Sequence, residues 1–522
     1  MSTESKPAAK QVTTEELAAR YGAAYKWYVS ATVLVGLIAM LSSASSINVA
    51  MPDIMGEMGM GQDQAQWLAT AFLASMTATM LAAAWASKAL GARGAYSMAI
   101  IAFAIGSVVG AFSDNDSLLI VARVIQGAAA GLAQSMGTVT MFQAFPANQR
   151  GSAMGFYGMG VILAPALGPT VGGLLVDNYS WHYVFFVGLP FCMVALPLAL
   201  TFLPTTRDSK RPPFDWLGFI LMSVSIAAFL TGLSNGQRHG WDSTFVVGSF
   251  CLSIIALIAF VAQEQRTPTP LLELDVFSNP RFVGASAVAF VYGMGVFGST
   301  YLVPLFLQTV QGYSPTESGL LLMPAGIVLG IVFPISGRLS DRLPPHILIF
   351  AGMALFMVSS YLMGSVDTDV SFWTFASYVI IGRIGMGLIL PSLNSGALRV
   401  LDPELVSHGA GAVNFTRQLG GAIGVDLLSV YLERQTTFYA HEINSMQTGD
   451  HVGATTLHLV TSAMHHAGLT GGTAVHEAHR FLSNMIAAQA SVMGFRESFL
   501  FVAVLSFLAL FPTWFMRARN RG

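Results

Sequence analysis

The chain has 522 residues, of which 54% are hydrophobic and 10% are charged, whereas roughly 25% of residues are charged in an ordinary soluble domain. A chain of this composition cannot cover itself with a polar surface, so a soluble globular protein is excluded. The formal net charge of −2 does not indicate a class of partner, and no nucleic-acid partner is expected.

The first 27 residues are polar and precede the first apolar run. Within this segment, Thr13 and Glu16 have the spacing of a capping box that opens a short amphipathic helix. The segment lacks the pattern of a cleavable signal peptide. We therefore expect residues 1–27 to form a cytoplasmic N-terminal segment.

Apolar runs of about twenty residues recur along the chain, each long enough at 1.5 Å per residue to cross a hydrocarbon layer of roughly 30 Å. They predict an all-α polytopic membrane protein with about 14 transmembrane helices. The predicted spans cover residues 28–51, 66–90, 95–113, 117–141, 152–176, 181–203, 216–234, 243–263, 281–308, 317–337, 346–365, 371–396, 408–432 and 494–516.

The distribution of the 25 Lys and Arg residues predicts the orientation, because short cytoplasmic loops are enriched in these residues. With the N-terminus inside, most of them fall on the cytoplasmic side. The exceptions on the outer side are Arg238, Arg434, Arg480 and Arg496. This asymmetry favours an even number of crossings with both termini in the cytoplasm. The two cysteines lie in apolar runs, so no disulfide framework is predicted.

Two weak internal repeats indicate a duplication. The cytoplasmic turn around Lys88 has a counterpart around Asp341, and the stretch that begins at Arg123 is echoed by the one that begins at Arg383. Transporters are often built from two related halves. The predicted organisation is an N-terminal six-helix bundle over residues 28–203, two additional linking helices over 216–263, and a C-terminal six-helix bundle over 281–516.

Residues 158–173 (GMGVILAPALGPTVGG) combine glycine and proline in an uncharged helix. Small residues such as Gly168 and Gly172 let two helix backbones approach closely. Pro165 and Pro169 remove backbone donors and bend the helix. The stretch therefore predicts a sliding helix contact, with close packing without a gating role as the alternative.

Three arginines fall within predicted spans, namely Arg123, Arg383 and Arg417. An arginine at a helix centre costs about 2.5–3.5 kcal/mol on insertion scales, so it normally faces a cavity or a partner. Gln126 lies about one turn beyond Arg123 and is expected in the same cavity, where it can hydrogen-bond Arg123 or a substrate. A structural cap on nearby carbonyl groups is the alternative role for Arg123.

Carboxylates inside the predicted spans are scarce, although a proton carrier must be able to titrate. Asp426 lies well within the thirteenth predicted span and is the predicted proton carrier. Asp53 and Glu317 are further candidates for proton coupling, but they lie nearer the outer ends of their spans. A solvated helix end explains these two residues better.

A cavity for varied apolar compounds needs an adaptable wall, and the chain contains 35 Phe and 26 Met. Methionine and aromatic surfaces accommodate many ligands. Asn48 in the first span and Gln126 in the fourth are expected at the substrate site. The predicted wall residues of the ninth span are Tyr292, Phe297, Tyr301, Phe306 and Gln308.

A predicted outer loop, residues 433–493, contains most of the histidines. Histidine is a common metal ligand that titrates near neutrality, so a metal site or a pH sensor is one alternative for this loop. No cysteine or fixed ligand spacing accompanies these residues, so no metal is predicted. A solvated helical cap or a docking surface for a periplasmic adaptor is favoured. The histidines are His441, His451, His458, His465, His466, His476 and His479.

Four stretches together resemble a known family. Residues 123–127 (RVIQG), 158–173, 181–190 (WHYVFFVGLP) and 417–424 (RQLGGAIG) are similar to the EmrB/QacA-type drug:proton antiporters, the fourteen-helix branch of the major facilitator superfamily. The resemblance extends over residues 28–516. It implies a major facilitator fold and proton-driven efflux of amphipathic compounds by alternating access, in a bacterial inner membrane and without a cofactor.

The resemblance also implies residue roles. Arg123 and Arg417 would take part in proton coupling. The motif residues would form a seam between the two halves that closes the cytoplasmic side. The implied seam residues are Gly158, Pro165, Gly168, Pro169, Gly172 and Gly173, together with Asp341 and Arg342 of the cytoplasmic turn. Members of the family work alone or with a periplasmic adaptor and an outer-membrane channel, and either arrangement is open here.

The sequence departs from the family pattern at two places. The first span usually carries an aspartate where this chain has residues 42–47 (SSASSI), which favours neutral, amphipathic or anionic substrates over purely cationic dyes. Lys88 also stands where the superfamily usually has an aspartate, although Asp341 is kept in the second copy.

Other functions are less well supported by the sequence. A carrier of a specific metabolite or siderophore on the same fold is the main alternative. A metal-dependent membrane enzyme would need a ligand motif, and the His476/His479 pair has the wrong spacing for a His-Glu-x-x-His signature. No phosphate-binding loop of the Gly-x-x-x-x-Gly-Lys-Ser/Thr type is present. An enzyme is therefore not predicted.

Overall fold

The computed structural model describes residues 12–206, 212–367, 369–448, 458–463, 466 and 472–517. Within these residues the regular structure is helical. The helices are α1 (Thr14–Tyr21), α2 (Tyr25–Met58), α3 (Gln62–Leu81), α4 (Ala83–Ala111), α5 (Asp116–Ala144), α6 (Arg150–Asn178), α7 (Leu189–Phe202), α8 (Trp216–His239), α9 (Thr244–Glu264), α10 (Pro280–Thr309), α11 (Pro315–Arg342), α12 (Pro345–Met363), α13 (Phe372–Arg399), α14 (Val406–Thr448), α15 (Gly472–Leu508) and α16 (Leu510–Phe515).

Twelve helical segments of the described chain are long and apolar enough to cross a membrane. This confirms the prediction of an all-α polytopic membrane protein. Two of the fourteen predicted spans are not among the twelve. One is the second span, where the apolar part of α3 covers Trp67–Leu81. The other lies in α14, which has 43 residues.

The second predicted span, residues 66–90, is divided between two helices. α3 ends at Leu81, and the first turns of α4 continue the span to Leu90. At Gly91 the backbone leaves the helix with φ 72° and ψ 168°, a conformation that suits glycine. A Cβ atom there would also lie 2.6 Å from the carbonyl oxygen of Thr206. Gly91 therefore sets the turn between the second and third spans.

The packing of the helices repeats. In the N-terminal part α2 packs on α6 and α7, and α5 packs on α3 and α4. In the C-terminal part α10 packs on α14 and α15, and α13 packs on α11 and α12. The same scheme thus recurs eight helices later. In this scheme Arg123 on α5 and Arg383 on α13 occupy equivalent helices.

The helices between the two halves form a hairpin, because α8 and α9 pack along each other. Side-chain hydrogen bonds join them: the Ser225 hydroxyl donates to the carbonyl oxygen of Ser253 at 3.0 Å. α8 also contacts α3 of the N-terminal half and α14 of the C-terminal half. The hairpin therefore touches both halves through α8.

The predicted outer loop is largely helical where the structure describes it. α14 continues to Thr448, and α15 begins at Gly472. Near the base of these extensions, the Tyr439 hydroxyl donates to Glu497 at 3.3 Å. The two helices therefore extend beyond the predicted spans into the segment predicted as the outer loop.

Candidate functional site

One end of the contact between the two halves is closed by Asp341, in the last turn of α11. Its carboxylate accepts hydrogen bonds from the backbone N–H groups of Gly151 at 2.6 Å and Ser152 at 2.9 Å. These groups belong to the first turn of α6, where free N–H groups and the helix dipole attract negative charge. Arg399 of α13 binds the same carboxylate at 2.9 Å. Asp341 therefore ties α6 to the opposite half.

Glycines allow α6 and α11 to touch at this end. A Cβ atom on Gly337 would lie 2.7 Å from the Gly151 carbonyl oxygen, and one on Gly155 would lie 2.6 Å from the Phe333 carbonyl oxygen. Further along α11, a Cβ atom on Gly326 would have no neighbour within 4 Å. The contact is therefore tight near Asp341 and opens toward the other end of α11. Arg342, the neighbour of Asp341, is exposed.

The structure divides the glycine- and proline-rich stretch of α6 between two contacts. Gly158 faces the opposite half, since its Cβ position lies 3.0 Å from the Phe333 ring of α11. Gly168 and Gly172 instead pack against Ser42, Ser45 and Ser46 of α2, within the same half. The nearest neighbour of Gly173 is Val49, also on α2. The predicted seam between the halves is thus confined to the Gly158 end of the stretch.

Hydroxyl groups on α2 bind the backbone of α6 along this contact. Ser45 donates to the Pro165 carbonyl oxygen at 2.9 Å, and Ser46 donates to the Gly168 carbonyl oxygen at 2.8 Å. Pro169 has no N–H group, so the carbonyl oxygen four residues earlier, that of Pro165, has no normal helical donor. Ser45 supplies the missing donor. These serines therefore bind α6 where its second proline leaves a carbonyl group without a helical donor.

Arg123 is buried within the N-terminal half. Its guanidinium donates to the Leu68 carbonyl oxygen at 3.0 Å and to Gln126 at 3.0 Å, and it lies 4.3 Å from the centre of the Phe72 ring. Gln126 in turn donates to the Ser107 hydroxyl at 3.0 Å. Among the described residues, no carboxylate lies within ion-pair distance of Arg123. The predicted contact between Arg123 and Gln126 is present. Arg123 also binds the Leu68 carbonyl group, which is the kind of contact that the alternative capping role describes.

Arg417 lies where the two halves meet. Its guanidinium donates to Asn414 at 2.9 Å, and Asn414 donates across the interface to the Thr138 hydroxyl of α5 at 3.0 Å. The second terminal nitrogen of Arg417 and the side-chain oxygen of Gln134, also on α5, are buried without a hydrogen-bond partner. Such unpaired buried groups are rare. This cluster is therefore an unusual polar site between the halves.

Arg383, the equivalent arginine of the C-terminal half, has weaker hydrogen-bond partners than Arg123. Its guanidinium lies 3.5 Å from the sulfur of Met386, and the Tyr292 hydroxyl donates to the Met386 carbonyl oxygen at 3.4 Å. Tyr292 is buried between α10 and α13. The two halves thus use their equivalent arginines differently.

The other predicted wall residues are scattered. Phe306 is buried inside the C-terminal half, where it stacks on Phe375 at 5.1 Å, so it does not line the interface between the halves. The Tyr301 hydroxyl donates to Ser429 of α14 at 3.2 Å. Gln308 and Asn48 are exposed. Phe297 is partly exposed.

Of the three candidate carboxylates, Asp426 is the one that is partly buried and bound to another helix. It is half-buried on α14 and accepts a hydrogen bond from Ser234 of α8 at 3.1 Å. In the described chain, no basic side chain pairs with it. Glu317 is exposed and completes a capping box with Ser314, so it caps its own helix. Asp53 is exposed.

A cluster that sequence reasoning missed joins the halves where the start of α14 lies against α4, beside the contact of α14 with α3. The Nζ atom of Lys88 lies 3.3 Å from His408, which is buried at the start of α14. Glu273 of the segment between α9 and α10 lies 3.9 Å from Lys88 and 3.8 Å from His408. The reversed charge at Lys88 was the available signal, but its partners are distant in sequence.

The described histidines of the outer segment, His441, His458, His466, His476 and His479, are exposed. Within the part of the chain that the structure describes, no group of three or more potential metal ligands occurs. His451 and His465 lie outside the described residues.

Comparison with known proteins gives a consistent result. A family model described as Major Facilitator Superfamily matches residues 32–425. The chain is 28% identical over 490 residues to the uncharacterized MFS-type transporter YhcA of Bacillus subtilis, covering 93% of this chain and 92% of that protein. It is 30% identical over 393 residues to a multidrug resistance protein B homolog of Mycobacterium tuberculosis, covering 74% and 73% of the two chains.

Two further comparisons agree with these. The lincomycin resistance protein LmrB of Bacillus subtilis is 28% identical over 394 residues, which cover 75% of this chain and 82% of that protein. Among solved structures, the human organic anion transporter MFSD10 superposes with a TM-score of 0.62 at 14% identity, covering 94% of this chain and 99% of that one. The structural likeness bears on the fold alone.

The packing of α6 on α2 predicts that Gly168→Ala destabilises the protein. The new methyl group would overlap the Ser45 hydroxyl and the Ser42 carbonyl oxygen, and overpacking of this kind costs about 1–3 kcal/mol. Thermal unfolding of the detergent-solubilised protein measures the effect. Gly326→Ala is the matched control, because its Cβ would have no neighbour within 4 Å. Equal melting temperatures for the two variants would contradict the packing described here.

The contacts of Asp341 predict that Asp341→Asn opens the α6/α11 contact. The amide removes the negative charge and turns one acceptor oxygen into a donor that faces an N–H group. The loss is substantial because a hydrogen bond to a charged group contributes about 1.5–3 kcal/mol. Spin labels at the exposed positions Asn148 and Leu343 should then report a new population at longer distance. Asp402→Asn, an exposed residue between α13 and α14, should leave the distances unchanged. An unchanged distribution in Asp341→Asn would contradict the closing role.

Proposed function

Because the chain belongs to the Major Facilitator Superfamily, we propose that it is a proton-driven efflux transporter for amphipathic small molecules, of the EmrB/QacA type. The two halves alternate access to a site between them, and protons move inward as substrate moves outward. One charge that crosses 100 mV supplies about 2.3 kcal/mol, enough for roughly a fifty-fold substrate gradient. The proposed location is a bacterial inner membrane with both termini in the cytoplasm.

The observation that carries the proposal is the setting of Asp426. This carboxylate lies in the middle of a long helix in the apolar part of the protein, and its described hydrogen-bond partner is one hydroxyl group. An ionisable residue inside a membrane protein is costly unless it is paired or serves the transport cycle. Without a basic partner, Asp426 can lose its charge only by binding a proton. That is the property a proton carrier needs.

The helix contacts support alternating access. In the proposed orientation, Asp341 and the Lys88/His408/Glu273 cluster lie at the cytoplasmic ends of the two contacts between the halves. A Cβ atom on Gly411 of α14 would lie 2.7 Å from the Met80 carbonyl oxygen of α3, so the second contact is also tight at this end. The structure is then a state closed to the cytoplasm. Opening requires that both contacts break.

The relatives support the substrate class. Proteins that cover most of this chain are named for multidrug and lincomycin resistance. In this chain, serines 42, 45 and 46 bind α6 instead of offering a carboxylate on α2. We therefore propose neutral or anionic amphipathic compounds in preference to purely cationic dyes.

Proton flux from proteoliposomes tests the function. With an imposed proton gradient, addition of a true substrate from a panel containing lincomycin, amphipathic dyes and fatty acids should discharge the gradient. Asp426→Asn should abolish this discharge, while the purified variant still elutes as a folded protein. Asp275→Asn, an exposed carboxylate between α9 and α10, is the matched control and should behave as the unaltered protein. Full discharge by Asp426→Asn would remove Asp426 as the carrier.

A further inference from the structure

A cavity of about 170 Å³ lies between α3, α8 and α9, away from the contact between α6 and α11. Its polar wall comes largely from α8. An exposed rim includes two aromatic side chains, Trp67 and Phe245. The full set of lining residues is Trp67, Thr70, Thr231, Ser234, Asn235, His239 and Phe245.

The chemistry of this cavity suits water. Its volume is several times the space that one water molecule needs, and a stable water also requires two to four polar partners. Thr70, Thr231 and Asn235 supply hydroxyl and amide groups, and His239 lies at the exposed end of α8. Dry cavities in proteins are lined by apolar side chains. This cavity is lined by polar ones on one side and by aromatic rings at its mouth.

Ser234 connects the cavity to Asp426. Ser234 lines the cavity and also donates its hydrogen bond to the Asp426 carboxylate at 3.1 Å. A single hydroxyl group therefore separates the cavity from the proposed proton carrier. A hydroxyl can accept a proton from one neighbour while it donates its own to another, which a purely apolar wall cannot do.

Asp426 and Arg417 lie on different faces of α14. Asp426 follows Arg417 by nine residues, which at 3.6 residues per turn is about two and a half turns. The two side chains therefore project from opposite faces of the helix. Arg417 faces α5 through Asn414 and Thr138, whereas Asp426 faces α8. The interface between the halves and the face that holds the carboxylate are therefore different surfaces of α14.

We propose that this cavity is the aqueous route by which protons from the outer side reach Asp426, with α8 of the inserted hairpin as its wall. The inference rests on the proposed function, since it takes Asp426 as the carrier. It assigns a task to the additional helices. They give protons a route that is separate from the substrate path between the halves.

Thiol accessibility tests the position of the route. In a background with Cys251→Ser, because Cys251 is exposed and Cys192 is buried, Asn235→Cys should react with a charged, membrane-impermeant thiosulfonate added from the outer side. Ser225→Cys on the same helix is the control. Its side chain is buried against Ser253, so it should stay unmodified. Absence of outside reaction at Asn235→Cys would overturn the proposal.

Hydrogen–deuterium exchange of the Asp426 carboxyl group tests the function of the route. The infrared carboxyl band that is missing in Asp426→Asn identifies this group. Modification of Asn235→Cys should slow its exchange at least tenfold, and Ser234→Ala should slow it without abolishing it. Unchanged exchange after modification would show that protons reach Asp426 by another route, for example because an apolar molecule fills the cavity. The proposal would then fail.

The two failures are distinguishable. If the unaltered protein shows no carboxyl band assignable to Asp426, then Asp426 is not a carrier, and both the proposed function and this inference fall. If the band is present and compounds discharge a proton gradient, but modified Asn235→Cys exchanges normally, the proposed function stands. Only the route through α8 is then overturned.

Discussion

Hydrocarbon offers no hydrogen-bond partners, so polar groups that this chain carries into the membrane must be satisfied inside the protein. The packing of α2 on α6 follows from this constraint. Pro169 leaves a carbonyl group of α6 without a donor, and Ser45 of α2 supplies one. Arg123 obeys the same rule through Leu68 and Gln126. Hydrophobic attraction does not drive helices together in lipid, so such bonds and close glycine contacts must hold the bundle.

Two of the exceptions to that rule lie at the contact between the halves. Arg417 and Gln134 keep buried polar atoms without partners, and they lie on opposite sides of the contact between α14 and α5. A fixed core would be expected to satisfy both groups. An interface that separates and re-forms can leave a group unpaired in one of its states. By contrast, Asp341 is fully engaged, which suits a contact that is closed in this state.

The inserted hairpin is more than a spacer between two halves. α8 contacts both of them, and Ser234 reaches the carboxylate of Asp426. The duplicated bundles, with α2 to α7 matching α10 to α15, do not include α8. The hairpin therefore supplies the polar wall beside this part of α14. The two extra helices are therefore built into the surroundings of the proposed carrier.

The sequence by itself determined the membrane class and the helical fold, and it marked Arg123, Arg417 and Asp426 as costly charged groups inside predicted spans. Hydropathy, helix length and the cost of a charge in a membrane are properties of short segments, so they can be read locally. The tertiary structure alone decided which surface each residue meets. It placed Gly168 against α2, Phe306 in a core, and Asp426 against α8, because each of these partners is far away in the chain and no local pattern records it.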